Sequence, residues 1–293
     1  MVDGRHATAG SSHPVSAVTI SKLNAPAQRK FHQPLCPATV PGESSRRPPF
    51  EEPLRRANQQ RFGDPDYVRS YQLADRYHRI RIELAIEMVM TRVDLGPRPR
   101  VLDVGTGNGV TAEELARRGA WVVAGDVLAG GQRRFGLSVS RVQFDAARPF
   151  PFAPGSFNGI LVGDVIQNLF DPVTFLRECR RVLCAKGVLV LTTPNLVGLQ
   201  DRVRFLAGRS PRQIDPTHDY MFLHIRPFSL DLLTECLQLA GLRRVEVRSN
   251  AVVLRWGARR YGIRWLARLW PSLGNVLVVA AVPDGAAQSE RGQ

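Results

Sequence analysis

The stretch Val101-Leu102-Asp103-Val104-Gly105-Thr106-Gly107-Asn108-Gly109 decides the reading of this chain. A short β-branched run, Arg100–Val104, enters a turn with glycine at every second position, and a helical pattern over Thr111–Arg118 follows. Glycine is needed where a backbone turns sharply or where a ligand lies against it with no Cβ in the way. In an open parallel sheet this first strand–helix turn falls at the carboxyl edge, where ligands bind. A dinucleotide loop would read Gly-x-Gly-x-x-Gly, with the last glycine under a pyrophosphate. Here the spacing is Gly-x-Gly-x-Gly, and Val110 takes the third place. Asp103 precedes the loop by two positions. A carboxylate there repels a pyrophosphate and attracts a cation. The expected ligand therefore carries an ammonium or a sulfonium, which points away from a nicotinamide dinucleotide.

Working outward, Trp121–Gly125 reads as a second strand, with Asp126 at its end. A carboxylate there can accept both hydroxyls of a ribose; its structural alternative is a turn or helix cap. Upstream, Ile80–Val93 places apolar residues largely on one side of a helix, and Pro97 follows its end. Downstream, Val142–Asp145 and Gly159–Gly163 read as the third and fourth strands. The helix Phe175–Leu183 precedes a fifth strand, Gly187–Thr193. Then come the helix Leu230–Ala240, the strand Arg243–Arg248 and a last apolar run, Val276–Val282. Strands alternating with helices at this spacing predict one α/β domain with a largely parallel sheet and helices on both faces.

Residues 1–48 carry Ser, Pro, Ala, His and Gly without periodicity and predict a disordered tail; 284–293 are expected to be a second one. The domain is expected to span 49–283. No apolar run approaches the roughly 18 residues needed to span a bilayer, and the first thirty lack the pattern of a secretory signal. The four cysteines form no Cys-x-x-Cys pair. No metal site or disulfide framework is expected, and a cytoplasmic location is. The net charge of +14 invites a nucleic-acid reading, yet only three of the 40 basic residues are lysine. Such a bias fits a GC-rich genome as well as it fits any partner.

Several motifs in order carry a resemblance to the class I S-adenosylmethionine-dependent methyltransferases, over roughly 85 to 283. Val101–Gly109 resembles the family's first motif and Asp126 its ribose-binding acid. Phe144-Asp145-Ala146 is similar to the segment that meets the adenine. Pro151–Asn158 resembles the entry to strand four, and Arg181–Gly187 the turn before strand five. The resemblance implies a Rossmann-like, seven-stranded, mostly parallel sheet whose last strand is antiparallel and inserted beside the fifth. It implies S-adenosylmethionine as cofactor. Asp103, Gly105, Thr106, Gly107 and Gly109 would hold its methionine end, Asp126 and Val127 the ribose, and Asp145 with Ala146 the adenine. Gly163, at the end of strand four, would contact either end through its backbone. Many relatives carry a Glu-His pair after strand four, where this chain has Gln167-Asn168.

The acceptor side is expected in a lid, 196–226, after strand five. No Asn/Asp-Pro-Pro-aromatic motif of base-amine methyltransferases follows strand four, where the chain reads Gly163-Asp164-Val165-Ile166. No nucleic-acid partner is expected. Thr192-Thr193-Pro194-Asn195 resembles instead the branch with ubiquinone-type and natural-product methyltransferases. His218 and His224 are the candidate bases for a hydroxyl acceptor. His224 has a structural alternative, a hydrogen bond at the junction where Ser229 caps the last helix. Residues 250–274 alternate aromatic and arginine residues and read as a helical insertion. It either lies in a membrane interface, at the inner face, or packs on the sheet with its arginines solvated. The charge gathers on this side: 196–271 hold 13 basic and six acidic residues. Together these features predict O-methylation of a small or lipid-like acceptor. The alternatives are N- or C-methylation, a non-catalytic scaffold of the same fold, and a nicotinamide oxidoreductase.

Overall fold

A computed structural model describes residues 76–93, 98–127, 138–214, 224–256 and 259–285. The predicted tail 1–48 lies outside these residues, as do 286–293 of the second tail. The described part begins with helix α1 (Arg76–Met90). Strand β1 (Arg100–Val104), helix α2 (Val110–Arg117), β2 (Trp121–Asp126), β3 (Val139–Gln143) and β4 (Phe157–Gly163) follow. Next are α3 (Pro172–Val182), β5 (Leu183–Pro194), α4 (Leu199–Leu206), α5 (Leu230–Leu239) and β6 (Leu242–Ser249). The hairpin β7 (Val252–Trp256) and β8 (Arg259–Ile263), the short helix α6 (Arg264–Leu269) and β9 (Val276–Pro283) complete the order.

Seven strands form one sheet in the order β3-β2-β1-β4-β5-β9-β6. β3 through β5 pair in parallel, and β9 runs antiparallel between β5 and β6. This is the expected Rossmann-like sheet with its antiparallel last strand. Its central strands are buried on both faces, which is why they read as continuous apolar runs rather than as alternating ones. Leu102, Val104, Ile160, Val162, Leu189 and Leu191 face one side, where Phe175 and Leu176 of α3 and Leu233 and Leu237 of α5 cover them. Val101, Leu161, Val188 and Val190 face the other, under Ile86, Met88 and Val89 of α1 and Leu115 of α2. Successive residues thus feed two separate cores, the period of two inherent in a strand.

Capping follows the local sequence. Asp171 accepts from the Thr174 amide at 2.9 Å ahead of Pro172, and Ser229 accepts from the Leu232 amide at 3.2 Å. Both place an oxygen where a helix start leaves donors unpaired.

Two expectations need correction. The third strand starts three residues earlier than the apolar pattern suggests, because Val139 and Ser140 pair with Val122 and Val123 at a sheet edge whose outer side tolerates polar residues. More consequentially, 250–274 is not a helical insertion. Val252–Ile263 is an antiparallel hairpin, with Val252 opposite Ile263 and Leu254 opposite Tyr261, and only Arg264–Leu269 is helical. Leu254-Arg255-Trp256 alternates with the strand period, and Val252 and Val253 are both buried. A Cβ on Gly262 would overlap the Tyr77 ring of α1, so the hairpin lies close against that helix.

Candidate functional site: the carboxyl edge of the sheet

At the carboxyl end of β1, Gly105 and Gly107 hold φ of +75° and +54°, a region that L side chains enter only at a cost. The amides of Gly105 and Thr106 both donate to the Gly125 carbonyl, at 2.8 and 3.1 Å, so the loop is fastened to the end of β2. The Gly107 peptide is held from two directions. Its amide donates to Asp126 Oδ2 at 2.8 Å, and its carbonyl accepts from the Arg141 guanidinium on β3 at 3.1 Å. Gly109 stands at the N-cap of α2, and its amide donates to the Thr106 carbonyl at 2.9 Å.

Asp103 is buried, and Thr106 Oγ1 donates to its Oδ2 at 2.7 Å. Burial pushes its carboxyl up to about 7. The Thr106 hydrogen bond opposes that shift, and the neighbouring Asp126 charge adds to it. The carboxyl therefore stands behind the loop rather than lining an open surface.

Asp126 and Val127 are half-buried. The Asp126 carbonyl accepts from the Phe144 amide at 3.0 Å and the Val127 carbonyl from Gln143 Nε2 at 3.0 Å. The ends of β2 and β3 are thus tied together. Asp145 and Ala146, both half-buried, follow directly, and Asp145 Oδ1 accepts from the Ala147 amide at 2.9 Å. Gly163 ends β4, and neither it nor Gly107 has any atom within 4 Å of the place a Cβ would take. The expected donor-side residues are therefore gathered on one edge, at the ends of β1, β2, β3 and β4.

A second network at this edge is not apparent from the motifs. Asp164, after Gly163, is the non-glycine residue with positive φ (+53°) among the described residues. Its carboxylate is ion-paired with Arg81 of α1 and accepts from Thr192 Oγ1 of β5 at 2.9 Å. Its amide donates to the Thr192 carbonyl and its carbonyl accepts from Gln167 Nε2. Gln167 Oε1 in turn accepts from the Thr193 hydroxyl at 3.2 Å. The next residue, Val165, packs so closely on Gly105 that a Cβ there would overlap its Cγ2. Arg81 is 5% exposed, a charged residue on the apolar face of α1. That misplaced charge is the signal in the sequence that could have pointed to it.

On the acceptor side, His218 lies outside the described residues, together with Asp215, Asp219 and Tyr220. His224 is half-buried just before a short bridge between Asn195 and Phe228. Arg226, two residues on, ties this segment to the end of β4: its amide donates to the Gln167 carbonyl and its guanidinium to the Phe170 carbonyl. Asn195 is fully buried, and its side-chain amide donates to the Ser272 and Gly274 carbonyls at 2.9 and 2.7 Å. The chain just after β5 is thereby fixed to the segment after α6.

Known proteins support the same frame. A family model described as a methyltransferase domain matches residues 102–191. The demethylmenaquinone methyltransferase of Mycobacterium sp. (strain KMS) is 40% identical over 101 residues, 33% of this chain and 42% of that one. The ubiquinone biosynthesis O-methyltransferase of Dinoroseobacter shibae is 30% identical over 176 residues, 54% of this chain and 66% of that one. The chain spans about half the length of the curated relatives it matches. Among solved structures, the fold is shared with the Burkholderia thailandensis 1,6-didemethyltoxoflavin-N1-methyltransferase, with a TM-score of 0.52 at 15% identity over 83% of this chain and 93% of that one. It is shared also with the methyltransferase bound to the Haloferax volcanii Trm112 activator, with a TM-score of 0.54 at 16% identity over 79% and 97%. Strand order, glycine loop and sequence kinship converge on a methyltransferase domain with the class I, Rossmann-like fold.

Proposed function

We propose that this chain transfers a methyl group from S-adenosylmethionine to a small, lipid-like acceptor, with oxygen as the receiving atom. The observation that carries the reading is the Gly107 peptide held between Asp126 and Arg141, which leaves backbone without a Cβ facing the carboxyl edge. That cradle fits an adenosyl ligand. Asp126 Oδ2 accepts from the Gly107 amide, and a carboxylate can accept several hydrogen bonds at once, one from a ribose hydroxyl among them. Gly105, Thr106, Gly107 and Gly109 would hold the methionine end, with the Asp103 carboxylate favouring its cationic groups from behind. Val127 would lie along the ribose, Asp145 and Ala146 along the adenine, and Gly163 across from them. When bound, S-adenosylmethionine supplies a methyl group already activated by its sulfonium.

The remaining work for the protein is to orient the acceptor and exclude water. His218 and His224 remain the proposed bases, within the proposed lid 196–226. The second reading is transfer to carbon or nitrogen. It is favoured by Arg226, whose backbone and side-chain bonds fasten the His224 segment to the end of β4 as a structural junction. The relatives named for demethylmenaquinone and ubiquinone biosynthesis support a lipid-like acceptor. Peripheral contact of 250–274 with the inner face of a membrane, and a cytoplasmic location, belong to the same proposal. No helix among the described residues is long and apolar enough to cross a membrane.

Calorimetric titration with S-adenosylhomocysteine tests the donor site. Saturable binding, weakened by Asp126→Ala, is expected. The absence of saturable heat in the parent chain would overturn the enzyme reading and leave the scaffold. Labelled donor with a short-chain phenolic quinone precursor then reports which atom receives the methyl.

A further inference from the structure

Helix α4 is inside out. Its one acid, Asp201, is 6% exposed and accepts from the Arg212 amide at 2.9 Å, while Leu206 is 87% exposed and Val203 and Phe205 also face solvent. An amphipathic helix in a soluble domain turns its apolar stripe inward; this one presents it. Helix α6 repeats the arrangement in miniature. Ala267 is buried against the domain, and Trp265 and Leu269, four residues apart on one outward face, are exposed, as is Trp270.

The two elements adjoin. α4 packs on β7, and the Arg202 guanidinium on α4 donates to the Ser272 carbonyl, two residues beyond Trp270, at 3.2 Å. Asn195, just ahead of α4, holds the same carbonyl. The charges around them have one sign. Residues 199–214 and 261–275 contain six arginines and a single acid, the buried Asp201. α4 follows the end of β5, which runs parallel to β4. The surface therefore starts from the same sheet edge as the donor-side residues.

We propose that α4 and the α6 segment together form a docking surface for a bilayer with anionic headgroups, extending the contact beyond 250–274 into the lid. Its occupant follows from charge and residue type. Tryptophans settle at the headgroup level, and arginine stems lie along apolar surface while their heads meet phosphate. Among the described residues of these two segments the one acid is buried, and such a basic, apolar face is complementary to a phospholipid surface. In so far as the surface supplies a lipid-like acceptor, it rests on the methyl-transfer reading; as a binding surface it does not need it.

The test is flotation of the full chain with vesicles of phosphatidylcholine and phosphatidylglycerol, against phosphatidylcholine alone, at two salt concentrations. The chain should float with the anionic vesicles and lose binding as salt rises. Binding should fall by more than about tenfold in Phe205→Ser/Leu206→Ser, in Trp265→Ser and in Arg264→Gln/Arg268→Gln. Thermal melting and titration with S-adenosylhomocysteine on the same variants show that the fold is kept, and the arginine pair serves where an apolar change unfolds the chain. Three results would overturn the proposal: no flotation, equal binding to neutral vesicles, or variants that float like the parent. A dimer seen by light scattering and dispersed by the same changes, without vesicle binding, would assign the face to a second copy and overturn it too. If the parent floats but binds no S-adenosylhomocysteine, the docking surface stands and the methyl-transfer reading fails.

Discussion

The Gly107 amide donates to Asp126 Oδ2 at 2.8 Å, so the carboxylate proposed to receive the ribose also sets the conformation of the loop beneath it. The two roles separate on substitution. Asp126→Asn keeps an oxygen acceptor but loses the charge, and Asp126→Ala loses both. A hydrogen bond to a charged group contributes about 1.5–3 kcal/mol. S-adenosylhomocysteine affinity should therefore fall by roughly tenfold in Asp126→Asn and by roughly a hundredfold in Asp126→Ala. Calorimetric titration beside a thermal melt measures this. Equal affinity in all three proteins would remove Asp126 from the donor site.

Gly105 and Gly107 share positive φ but not surroundings. Alanine in the left-handed region costs about 1–2 kcal/mol by itself. At Gly105 the new methyl would also overlap Val165 Cγ2, whereas at Gly107 it meets nothing within 4 Å. Gly105→Ala should therefore lose roughly 2–5 kcal/mol of stability in urea denaturation. Val165→Ala in that background should restore part of it. Gly107→Ala should lose only about 1–2 kcal/mol yet bind S-adenosylhomocysteine markedly less well, because its methyl enters the space proposed for the ligand.

Much of this arrangement was legible beforehand because its cause is local. β1, β4, β5 and β9 read as strands since their central residues are buried on both faces and so are mostly apolar. The Ser229 cap and the glycine loop follow from nearest-neighbour geometry. What failed to read has non-local causes. β3 is an edge strand whose Ser140 and Arg141 mask its start. The hairpin 252–263 alternates aromatic and arginine residues in a way that suits a strand as well as a helix, and its packing against Tyr77 settles the choice. The pairing of Arg81 with Asp164 joins residues far apart in sequence, and no local pattern states that α1 crosses the end of β4.

Asp103, proposed to stand behind the methionine end, should make donor binding and stability depend on pH in opposite senses. Its carboxyl is raised from 3.8 to about 7, chiefly by burial. The folded state therefore holds a proton that the unfolded chain has released between those values, and stability falls as pH rises from about 4 to about 7. Above that range the buried charge persists, at a cost of up to roughly 4 kcal/mol. Asp103→Asn should melt higher than the parent at pH 8 and lose the advantage near pH 4. A bound cation favours the carboxylate, so donor binding should release protons near neutrality. Affinity for S-adenosylhomocysteine should then rise with pH up to about 7 and flatten above it. Titrations in buffers of different ionisation enthalpy measure the released protons. Their absence, or a pH dependence unchanged in Asp103→Asn, would sever Asp103 from the ligand.

Arg81 and Asp164 provide the remaining test, because their ion pair supports a strained residue. Asp164 holds φ of +53°, and its carboxylate is gripped by Arg81 and by Thr192 Oγ1. The Arg81 side chain is 6% exposed and that of Asp164 23%. Removing one member of a buried pair strands the other charge and costs about 3–5 kcal/mol; partial exposure of Asp164 should bring Arg81→Met down to roughly 2–4 kcal/mol. Asp164→Asn keeps a residue that tolerates positive φ but strands the Arg81 guanidinium. The double variant removes both charges and should be less destabilised than the two single losses combined, with a coupling above about 1 kcal/mol. Denaturation of the four proteins measures it. Val165 follows Asp164 and packs on Gly105, so a shift of Asp164 should reach the loop and weaken S-adenosylhomocysteine binding in both single variants. Additive stabilities with unchanged binding would show that the pair neither holds Asp164 in place nor supports the loop.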